Sequence, residues 1–443
     1  MLNSKIILKL KSVKHRAISG SLWSTVGFGG AQVIRLGSNL LLTRLLAPEV
    51  FGLMALVQVA LQALKMMSDA GITTSVIIGA RGDDPDYLNS AWTIQVLRGL
   101  LIWLLCCVLS YPMSVIYEAP ELLLLIPIVG LTAVFQGFTS PAILTLKRKI
   151  ELKKLVSWQI STQLLTTIIT IVGAWYFRSI WGIVIGGLIG AVITCISSYS
   201  FPSICRVCFK LDSKSSGEII GFGKWIFVSS FVSFLINKGD IFILGVFLTK
   251  ADLGVFSIAA IWSKMSLELL QKVNQEVMTP LYAKVFQENR DNIRAKIKKA
   301  RFILLALSLP MIWFMVIFAP LLIDFLYDDR YSDAGWMLQI LALGSVGAAI
   351  TATSGNALLS FGDSFGYMIF QISGGLLLVT CMLVGGSYFG IFGLIAGVSV
   401  AKFLSYPVMA LLMRRHEIWL PELDSLAVVS TSLVIGCWWF FVV

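Results

Sequence analysis

Eight of the 35 lysines and arginines fall inside apolar segments that are long enough to cross a membrane. A charge at the centre of a bilayer costs about 2.5–3.5 kcal/mol, so such residues face a partner, water or a ligand. Only four acidic residues accompany them in these segments, and this excess of cations predicts a route for an anion. The bases are Arg35, Lys65, Arg98, Lys224, Lys238, Lys264, Lys272 and Lys402, and the acids are Asp69, Asp240, Glu268 and Glu276.

Polar residues recur at helical spacing on four of these segments. Steps of three or four residues place each set on one face of its helix, and a polar face in lipid must turn towards a cavity or a neighbouring helix. The four sets are Gln32, Arg35, Asn39 and Thr43; Gln58, Gln62, Lys65 and Asp69; Ser230, Ser233, Asn237 and Asp240; and Lys264, Glu268, Lys272 and Glu276. We therefore predict a cavity lined by cations, formed by Arg35, Lys65, Arg98, Lys238 and Lys264.

Several of these charges have a simpler interpretation. Lys65 with Asp69, and Lys264 with Glu268, are spaced to neutralise each other across one helical turn. Lys224 lies near a helix start, where a lysine can extend to the membrane surface. Lys272 and Glu276 are far enough along their helix to reach cytoplasmic water, and Lys402 is placed to anchor lipid headgroups of the inner leaflet.

The composition identifies an integral membrane protein. Hydrophobic residues make up 57% of the 443 residues and charged residues 13%, with a mean hydropathy of +0.86, whereas soluble domains carry about 25% charged residues. About 20 residues suffice for one crossing. The predicted spans are 18–46, 49–80, 89–116, 121–146, 155–176, 180–201, 219–248, 251–285, 300–327, 335–360, 363–388, 391–413 and 423–443.

The loops between these spans predict the orientation. With a cytoplasmic N-terminus, 23 of the basic residues, among them Arg301, fall on the cytoplasmic side and four on the other. This bias follows the positive-inside rule. We therefore predict a basic cytoplasmic N-terminus (1–17), a first six-helix half (18–201), a cytoplasmic linker (202–218), a second six-helix half (219–413), and a final loop with an extra hydrophobic helix (414–443).

The two halves read as copies of one unit. At an offset of 202 residues, Trp23 aligns with Trp225, Gly37 with Gly239, Leu46 with Leu248 and Gly52 with Gly254. Each copy begins with a long helix, a short turn and another long helix. Six spans in each half make the repeat a parallel one, and the paired polar faces of the two copies are expected to line a shared central cavity. Glycines at 182, 186 and 190, and at 393 and 397, predict close helix packing.

Other chemistries lack the residues they need. No glycine-rich phosphate loop followed by Lys-Ser or Lys-Thr is present, so ATP binding does not drive the protein. The histidines, His15 and His416, lie in predicted cytoplasmic segments, which leaves no spanning histidine for a metal site. Cys205 and Cys208 form a single CxxC without a second pair. The basic residues fall mostly in loops on one side of the membrane, where they set the topology, so nucleic acid is not an expected partner. No set of catalytic residues suggests an enzyme.

Three stretches of the first quarter resemble the Wzx-type polysaccharide biosynthesis proteins of the multidrug/oligosaccharidyl-lipid/polysaccharide exporter superfamily. They are GSLWSTVGFGGAQVIRLGSNLLLTRLLAPEVFGLMALVQ (residues 20–58), SDAGITTSVI (68–77) and LNSAWTIQVLRGL (88–100). The resemblance implies an all-helical exporter fold of two six-helix halves. One departure is the thirteenth segment, 423–443, because members of the superfamily commonly have twelve or fourteen spans.

The resemblance also implies a function. Such proteins are flippases that move an undecaprenyl-pyrophosphate-linked sugar repeat unit from the inner to the outer leaflet of the bacterial inner membrane, for O-antigen, capsule or exopolysaccharide. A pyrophosphate needs cations in a low-dielectric site. Sugars need amide and hydroxyl partners, which Gln32, Asn39, Gln58, Gln62 and Asn237 supply. A polysaccharide polymerase and chain-length machinery are expected partners.

The main alternative is a multidrug or cation antiporter of the same fold, which predicts a cavity dominated by acids. A membrane enzyme would need a large outer loop, and a scaffold would leave the buried charges unexplained. No cofactor is expected. Coupling to protons or sodium stays open, because Asp69, Asp240 and Glu268 are suited either to bind an ion or to balance their basic neighbours.

Overall fold

A computed structural model describes residues 2–68, 71–79, 81–149, 151–202, 207–212, 215–218, 234, 238–274, 293–360 and 363–442. Within these ranges nearly every residue is helical and no strand occurs. The predicted all-helical fold class is confirmed. Eight of the described helices are long and apolar enough to cross a membrane, or nine when one bent pair counts as a single span.

The helices are numbered here in chain order. They are α1 (Leu2–Leu45), α2 (Pro48–Met67), α3 (Ile72–Ile78), α4 (Pro85–Ile116), α5 (Leu122–Gly137), α6 (Ala142–Arg148), α7 (Leu152–Phe177), α8 (Ile180–Ser198), α9 (238–247), α10 (Lys250–Val273), α11 (Ile293–Leu326), α12 (Ala334–Ser360), α13 (Ser364–Leu404), α14 (Tyr406–Arg415) and α15 (Pro421–Val442).

The chain forms two compact units. The first comprises Met1–Leu46 and Leu56–Phe231, and the second comprises Ala47–Ala55 and Val232–Val443. In the first unit α4 packs on α5, and α7 packs on both α8 and α1. In the second unit α12 packs on α10, α11 and α13, while α15 packs on α11. The first two turns of α2 thus belong with the second unit.

Two predicted spans are broken in the structure. The span 49–80 divides into α2 and α3, and Gly71 at the break has a left-handed backbone (φ 59°) that favours glycine. The span 121–146 divides into α5 and α6, which are bent by 64°. Pro141 precedes α6 there and lacks the backbone N–H that a continuous helix would need. The predicted total of twelve spans plus one stays a prediction.

Glycines bring pairs of antiparallel helices into backbone contact. A Cβ on Gly182 would lie 2.6 Å from the carbonyl oxygen of Gly173, which binds α8 tightly to α7. The chain reverses again inside α13 at Gly390 (φ 59°), and there a Cβ on Gly393 would overlap the carbonyl oxygen of Gly385. The glycines at 182 and 393 therefore serve close packing, as predicted.

Part of the predicted linker is fastened to the first unit. The backbone N–H groups of Cys208, Lys210 and Asp212 donate to the side chains of Asn89, Thr93 and Ser90 on α4, at 3.0 to 3.2 Å. An ion pair of 2.7 Å joins Lys210 to Asp86, and the rings of Phe209 and Trp92 lie 4.8 Å apart. Residues 207–212 therefore run along the first turns of α4, the helix that also carries Arg98.

Candidate functional site

A polar pocket of about 270 Å³ lies inside the first unit, where the two broken spans meet. Its walls come from the end of α2, the start of α3, the middle of α4 and the break between α5 and α6. The residues that line it are Lys65, Thr73, Gln95, Arg98, Gly99, Ile102, Ala133, Gln136, Gly137, Thr139, Ser140, Ile143 and Leu144. Two of the five predicted cavity cations, Lys65 and Arg98, thus share one pocket.

Arg98 fixes the end of α2 at the pocket. Its guanidinium donates to the carbonyl oxygen of Lys65 at 2.6 Å and to the hydroxyl of Ser68 at 3.1 Å. Both Lys65 and Arg98 are half-buried. Asp69, the predicted partner of Lys65, lies outside the described residues. Two cations that line one half-buried pocket favour an anionic ligand.

Amides and hydroxyls complete the pocket. Gln95 lies one turn before Arg98 on α4, and its amide donates to the carbonyl oxygens of Gln136 and Gly137 at 3.1 and 3.2 Å. Gln136, Thr139 and Thr73 add further polar groups to the walls. The sequence interpretation missed these four residues. Three of them lie at helix breaks that it read as continuous helix, and Gln95 was hidden in an otherwise apolar segment.

Arg148 fastens the short helices that form one wall. Its guanidinium donates to the carbonyl oxygens of Val76, Ile77 and Gly79, at 2.7 to 2.9 Å, and so closes the C-terminal end of α3. The same side chain pairs with Asp83 at 3.0 Å. Because Arg148 is the last residue of α6, these bonds hold α3 and α6 together beside the pocket.

Other predicted residues of the first unit lie elsewhere. Arg35 is exposed on α1, where Gln32 is buried and Asn39 half-buried. Gln58 and Gln62 are both exposed on α2. None of these five lines the pocket of Lys65 and Arg98. Their predicted roles in a larger cavity remain predictions.

The second unit holds a separate cluster of charges. The ammonium of Lys264 on α10 lies 3.5 Å from a carboxylate oxygen of Asp240 on α9. Asp240 is buried, and its other oxygen accepts from the backbone N–H of Ile241 at 2.9 Å. Lys402, for which the sequence suggested headgroup anchoring, is half-buried on α13. That role stays a prediction.

Three further predicted residues belong to the second unit. Lys238 on α9 and Glu268 on α10 are half-buried. Asn237 lies outside the described residues. Within the described ranges, no group of three or more His, Cys, Asp or Glu side chains is arranged to hold a metal ion.

A buried ion pair was also missed. Arg301, counted among the cytoplasmic loop residues in the sequence, is fully buried on α11 and bonds to Asp424 of α15 at 2.6 Å. Tyr406 donates to the same aspartate at 3.0 Å, and Trp419 donates to Tyr406 at 3.3 Å. The network joins α15, the predicted thirteenth helix, to the second unit. The sequence suggested a loop for Arg301 because it lies at the start of an apolar segment. Its partner aspartate is 123 residues away, so no local pattern could reveal the pair.

Comparisons with known proteins agree with this architecture. Residues 41–335 match the family model described as polysaccharide biosynthesis protein. The lipopolysaccharide biosynthesis protein WzxC of Escherichia coli (strain K12) is 21% identical, over 96% of this chain and 88% of that protein. The succinoglycan biosynthesis transport protein ExoT of Rhizobium meliloti (strain 1021) is also 21% identical, over 72% of this chain and 64% of its own length.

Solved structures show the same fold. The lipid II flippase MurJ in an inward closed conformation superposes with a TM-score of 0.73 at 14% identity, over 93% of this chain and 91% of that one. An inward-facing multidrug resistance transporter of the MATE family gives a TM-score of 0.67 at 14% identity, over 91% of this chain and 96% of that one. These likenesses establish the exporter fold, and the family match, which covers more than half of the chain, shows that this multi-pass membrane protein belongs to the polysaccharide biosynthesis protein family.

Proposed function

We propose that this protein is a flippase that carries a lipid-linked oligosaccharide repeat unit across the bacterial inner membrane by alternating access, for the synthesis of a surface polysaccharide. The observation that supports it most directly is the pocket in which Lys65 and Arg98 lie beside the amides and hydroxyls of Gln95, Gln136 and Thr139. Cations suit a pyrophosphate, and amides and hydroxyls suit sugars. The relatives named for lipopolysaccharide and succinoglycan biosynthesis support the same conclusion.

The physical basis is charge stabilisation away from bulk water. Coulomb attraction grows as the effective dielectric constant falls, so a cation in a half-buried pocket attracts phosphate more strongly than one in water. Arginine also presents a planar fork of donors that matches phosphate oxygens. Arg98 is already oriented by its bonds to Ser68 and Lys65, which reduces the rotamer freedom that it would lose on binding.

A multidrug or cation antiporter of the same fold is the second candidate. A cavity that attracts cations should be dominated by carboxylates. The pocket of the first unit is instead lined by Lys65 and Arg98 and by no acid among the described residues, and in the second unit the buried Asp240 is already paired with Lys264. Both observations favour an anionic cargo.

The proposal also covers the cargo lipid, the orientation in the membrane and the partner proteins. The cargo lipid is undecaprenyl pyrophosphate, the N-terminus is cytoplasmic, and the polysaccharide polymerase with its chain-length machinery receives the product. The bias of 23 basic residues to one side supports this orientation. No cofactor enters the proposal, and any proton or sodium coupling would act through the charge balance of the acidic residues.

Genetic complementation tests the proposal. Deleting the gene should abolish surface polysaccharide and leave repeat units on their lipid carrier at the cytoplasmic face. Wild-type protein should restore the polysaccharide, whereas Arg98→Gln should restore at most a tenth of it at equal membrane abundance. Lys154→Gln is the matched control, because Lys154 is an exposed base of the same unit that pairs with Glu151 at 2.7 Å.

Two further variants address residues outside the pocket. Arg35→Ala and Lys238→Ala test the remaining predicted cations in the same assay. Full polysaccharide synthesis by Arg98→Gln, Arg35→Ala and Lys238→Ala alike would contradict a cationic cargo site. A deletion strain with unchanged lipid-linked intermediates and unchanged polysaccharide would contradict the flippase function itself.

A further inference from the structure

The pocket of the first unit is small for the cargo proposed for it. Its volume of about 270 Å³ lies just below the range of about 300–1,000 Å³ that drug-sized ligands occupy. A diphosphate that carries several sugars is larger than such a ligand. A repeat unit that binds in this pocket therefore needs a wall that moves to make room for it.

The wall formed by α4 and α5 is held by backbone contact. A Cβ on Gly99 of α4 would lie 2.6 Å from the carbonyl oxygen of Ala133, and a Cβ on Gly137 of α5 would lie 3.0 Å from that of Gln95. All four residues line the pocket. Helices packed this closely resist deformation, so this wall has little freedom to move.

The short helix α6 is anchored near its start. Just before the helix, the backbone N–H of Ser140 donates at 2.9 Å to the hydroxyl of Ser198, at the end of α8. Ile143 and Leu146 of α6 are buried in one apolar cluster with Leu155 of α7. α6 is thus tied to α7 and α8, which makes it a fixed support for the side chain at its last position.

α3 is a short helix that lies between two glycines. It has seven residues, too few for a stable helix on its own. Gly71 before it has a left-handed backbone and Gly79 after it an extended one, and positions of this kind absorb backbone rotation at hinges. Ile72 and Val76 pack on α4 and α6 through apolar contacts, which are not directional. Because Thr73 lines the pocket, a rotation of α3 changes the size of the pocket.

Arg148 supplies the directional bonds at the C-terminal end of α3. Its Nη1 donates to three carbonyl oxygens at 2.7 to 2.9 Å, those of Val76, Ile77 and Gly79. A Cβ on Gly82 would lie 2.5 Å from the same nitrogen, so the turn after α3 closes directly over the guanidinium. The Arg148 side chain is 20% exposed, and water can therefore solvate it when the bonds break. All three bonds depend on one rotamer of one side chain, so they break and re-form together.

We propose that α3 is a movable flap of the pocket and that Arg148 is the latch that holds the flap closed. The proposal rests on the proposed function, because it concerns how the pocket admits the lipid-linked repeat unit. Release of the latch frees α3 to turn about Gly71 and widen the pocket, while α4, α5 and α6 keep their places. Arg148 acts on transport through α3, so it is a positioning residue and not part of the binding site.

A reducible cross-link across the latch tests the flap. In Asp83→Cys/Arg148→Cys, a short membrane-permeant bis-methanethiosulfonate should join two positions whose native side chains lie 3.0 Å apart. In the complementation strain, the linked protein should export polysaccharide at least tenfold more slowly than the unlinked protein, and a reductant should restore the rate. Wild type and the two single variants, treated alike, control for reaction at the native cysteines. A merely structural contact would tolerate a link that preserves it.

Removing the latch should loosen α3. Amide hydrogen exchange across residues 72–78 should be at least tenfold faster in Arg148→Gln than in wild type, with unchanged exchange in α5. Gly82→Ala should act in the same direction, because the added Cβ displaces the guanidinium without changing any charge. Arg148→Lys should lie between Arg148→Gln and wild type, since lysine keeps the charge but lacks the planar fork. Lys154→Gln, which removes an exposed base on α7, should exchange as wild type does.

Three results would overturn the flap, even if complementation upholds the flippase. They are full export by the linked protein, failure of Asp83→Cys/Arg148→Cys to form the link, and equal exchange of α3 in wild type and Arg148→Gln. If the double variant exports no polysaccharide before linking, the exchange comparison decides. Because hydrogen exchange needs no cargo, it reports on the flap even where complementation contradicts the flippase.

Discussion

Gly52 of α2 and Gly254 of α10 pack against each other reciprocally, backbone to backbone. A Cβ on Gly52 would overlap the carbonyl oxygen of Lys250, and a Cβ on Gly254 would overlap that of Pro48. Each Cβ would also lie 3.1 Å from the backbone nitrogen of the other glycine. Pro48 and Lys250 are separated by the same 202 residues as the two glycines, so equivalent turns of the two repeats meet in a symmetric crossing.

Substitution at this crossing should be destabilising. Gly52→Ala and Gly254→Ala should each lower the free energy of unfolding by about 1–3 kcal/mol, as overpacking of a tight contact does. Thermal unfolding in detergent would measure the loss. Gly187→Ala is the matched control, because a Cβ there meets nothing within 4 Å and alanine favours a helix. Equal melting temperatures for Gly52→Ala and Gly187→Ala would contradict the backbone crossing.

The buried pair of Arg301 and Asp424 should be essential for stability. Asp424→Leu leaves the guanidinium buried and uncompensated, which should cost about 3–5 kcal/mol, whereas the double variant Arg301→Met/Asp424→Leu should recover most of that loss. Thermal unfolding of the three proteins measures both effects. Lys298 and Glu422 join the same two helices at 2.5 Å but are 51% and 71% exposed, so Glu422→Gln should cost about 1 kcal/mol or less. A double variant no more stable than Asp424→Leu would show that the charge itself is needed.

The hydroxyl of Thr139 should contribute to transport. Thr139→Val keeps the shape of the side chain and removes one hydrogen-bonding group from the pocket. A hydrogen bond contributes about 0.5–1.5 kcal/mol, so the rate of polysaccharide export should fall about three- to tenfold at unchanged protein abundance. Thr132→Val is the control, since the Thr132 hydroxyl bonds to its own helix at Val129. If both substitutions lowered the export rate equally, Thr139 would not belong to the binding site.

The contact between Asp363 and His416 should make stability depend on pH. A carboxylate oxygen of Asp363 lies 2.7 Å from His416 Nε2, and the other accepts from the backbone N–H of Gly366. The bond to His416, supported by that backbone bond, lowers the pKa of Asp363. A lowered pKa stabilises the fold above the ordinary aspartate value of about 3.9, and this stabilisation is lost as pH falls through the lower native value.

Asp363→Asn should therefore melt at a lower temperature than wild type near pH 7, and the difference should shrink as the pH approaches 3. Melting curves across this range provide the measurement. Asp333→Asn is a useful comparison, because Asp333 lies outside the membrane-length segments and bonds to Trp336 instead of a histidine. If the difference in melting temperature between wild type and Asp363→Asn grew as the pH fell, the direction assigned to the pKa shift of Asp363 would be wrong.

The sequence alone was sufficient for the features that depend on local pattern. Hydropathy identified the helical membrane protein. The 202-residue offset aligned Gly52 with Gly254, the two glycines that cross in the structure. Glycine spacing predicted close packing of α8, and the structure identifies α7 as its partner. Lys65 and Arg98 were chosen as cavity cations because bases are rare in apolar segments, and the structure brings them into one pocket.

The remaining features depend on contacts between distant residues. Pattern could not reveal that Lys264 pairs with Asp240 of the preceding helix, or that Arg301 has a buried partner in α15. The breaks at Gly71 and Pro141 were hidden because hydropathy continues across them. Gln136 and Thr139 were missed for the same reason, since the breaks create the pocket that makes them important.

The fastening of residues 207–212 to α4 shortens the tether between the two halves of the chain. A fully extended chain spans about 3.3–3.6 Å per residue, so holding these six residues removes about 20 Å of slack from a connector predicted as 202–218. Breaking the three hydrogen bonds to Asn89, Ser90 and Thr93 would add that length to the free part of the connector. The reach of the connector is therefore set by the side chains of a transmembrane helix as well as by the number of residues in the loop.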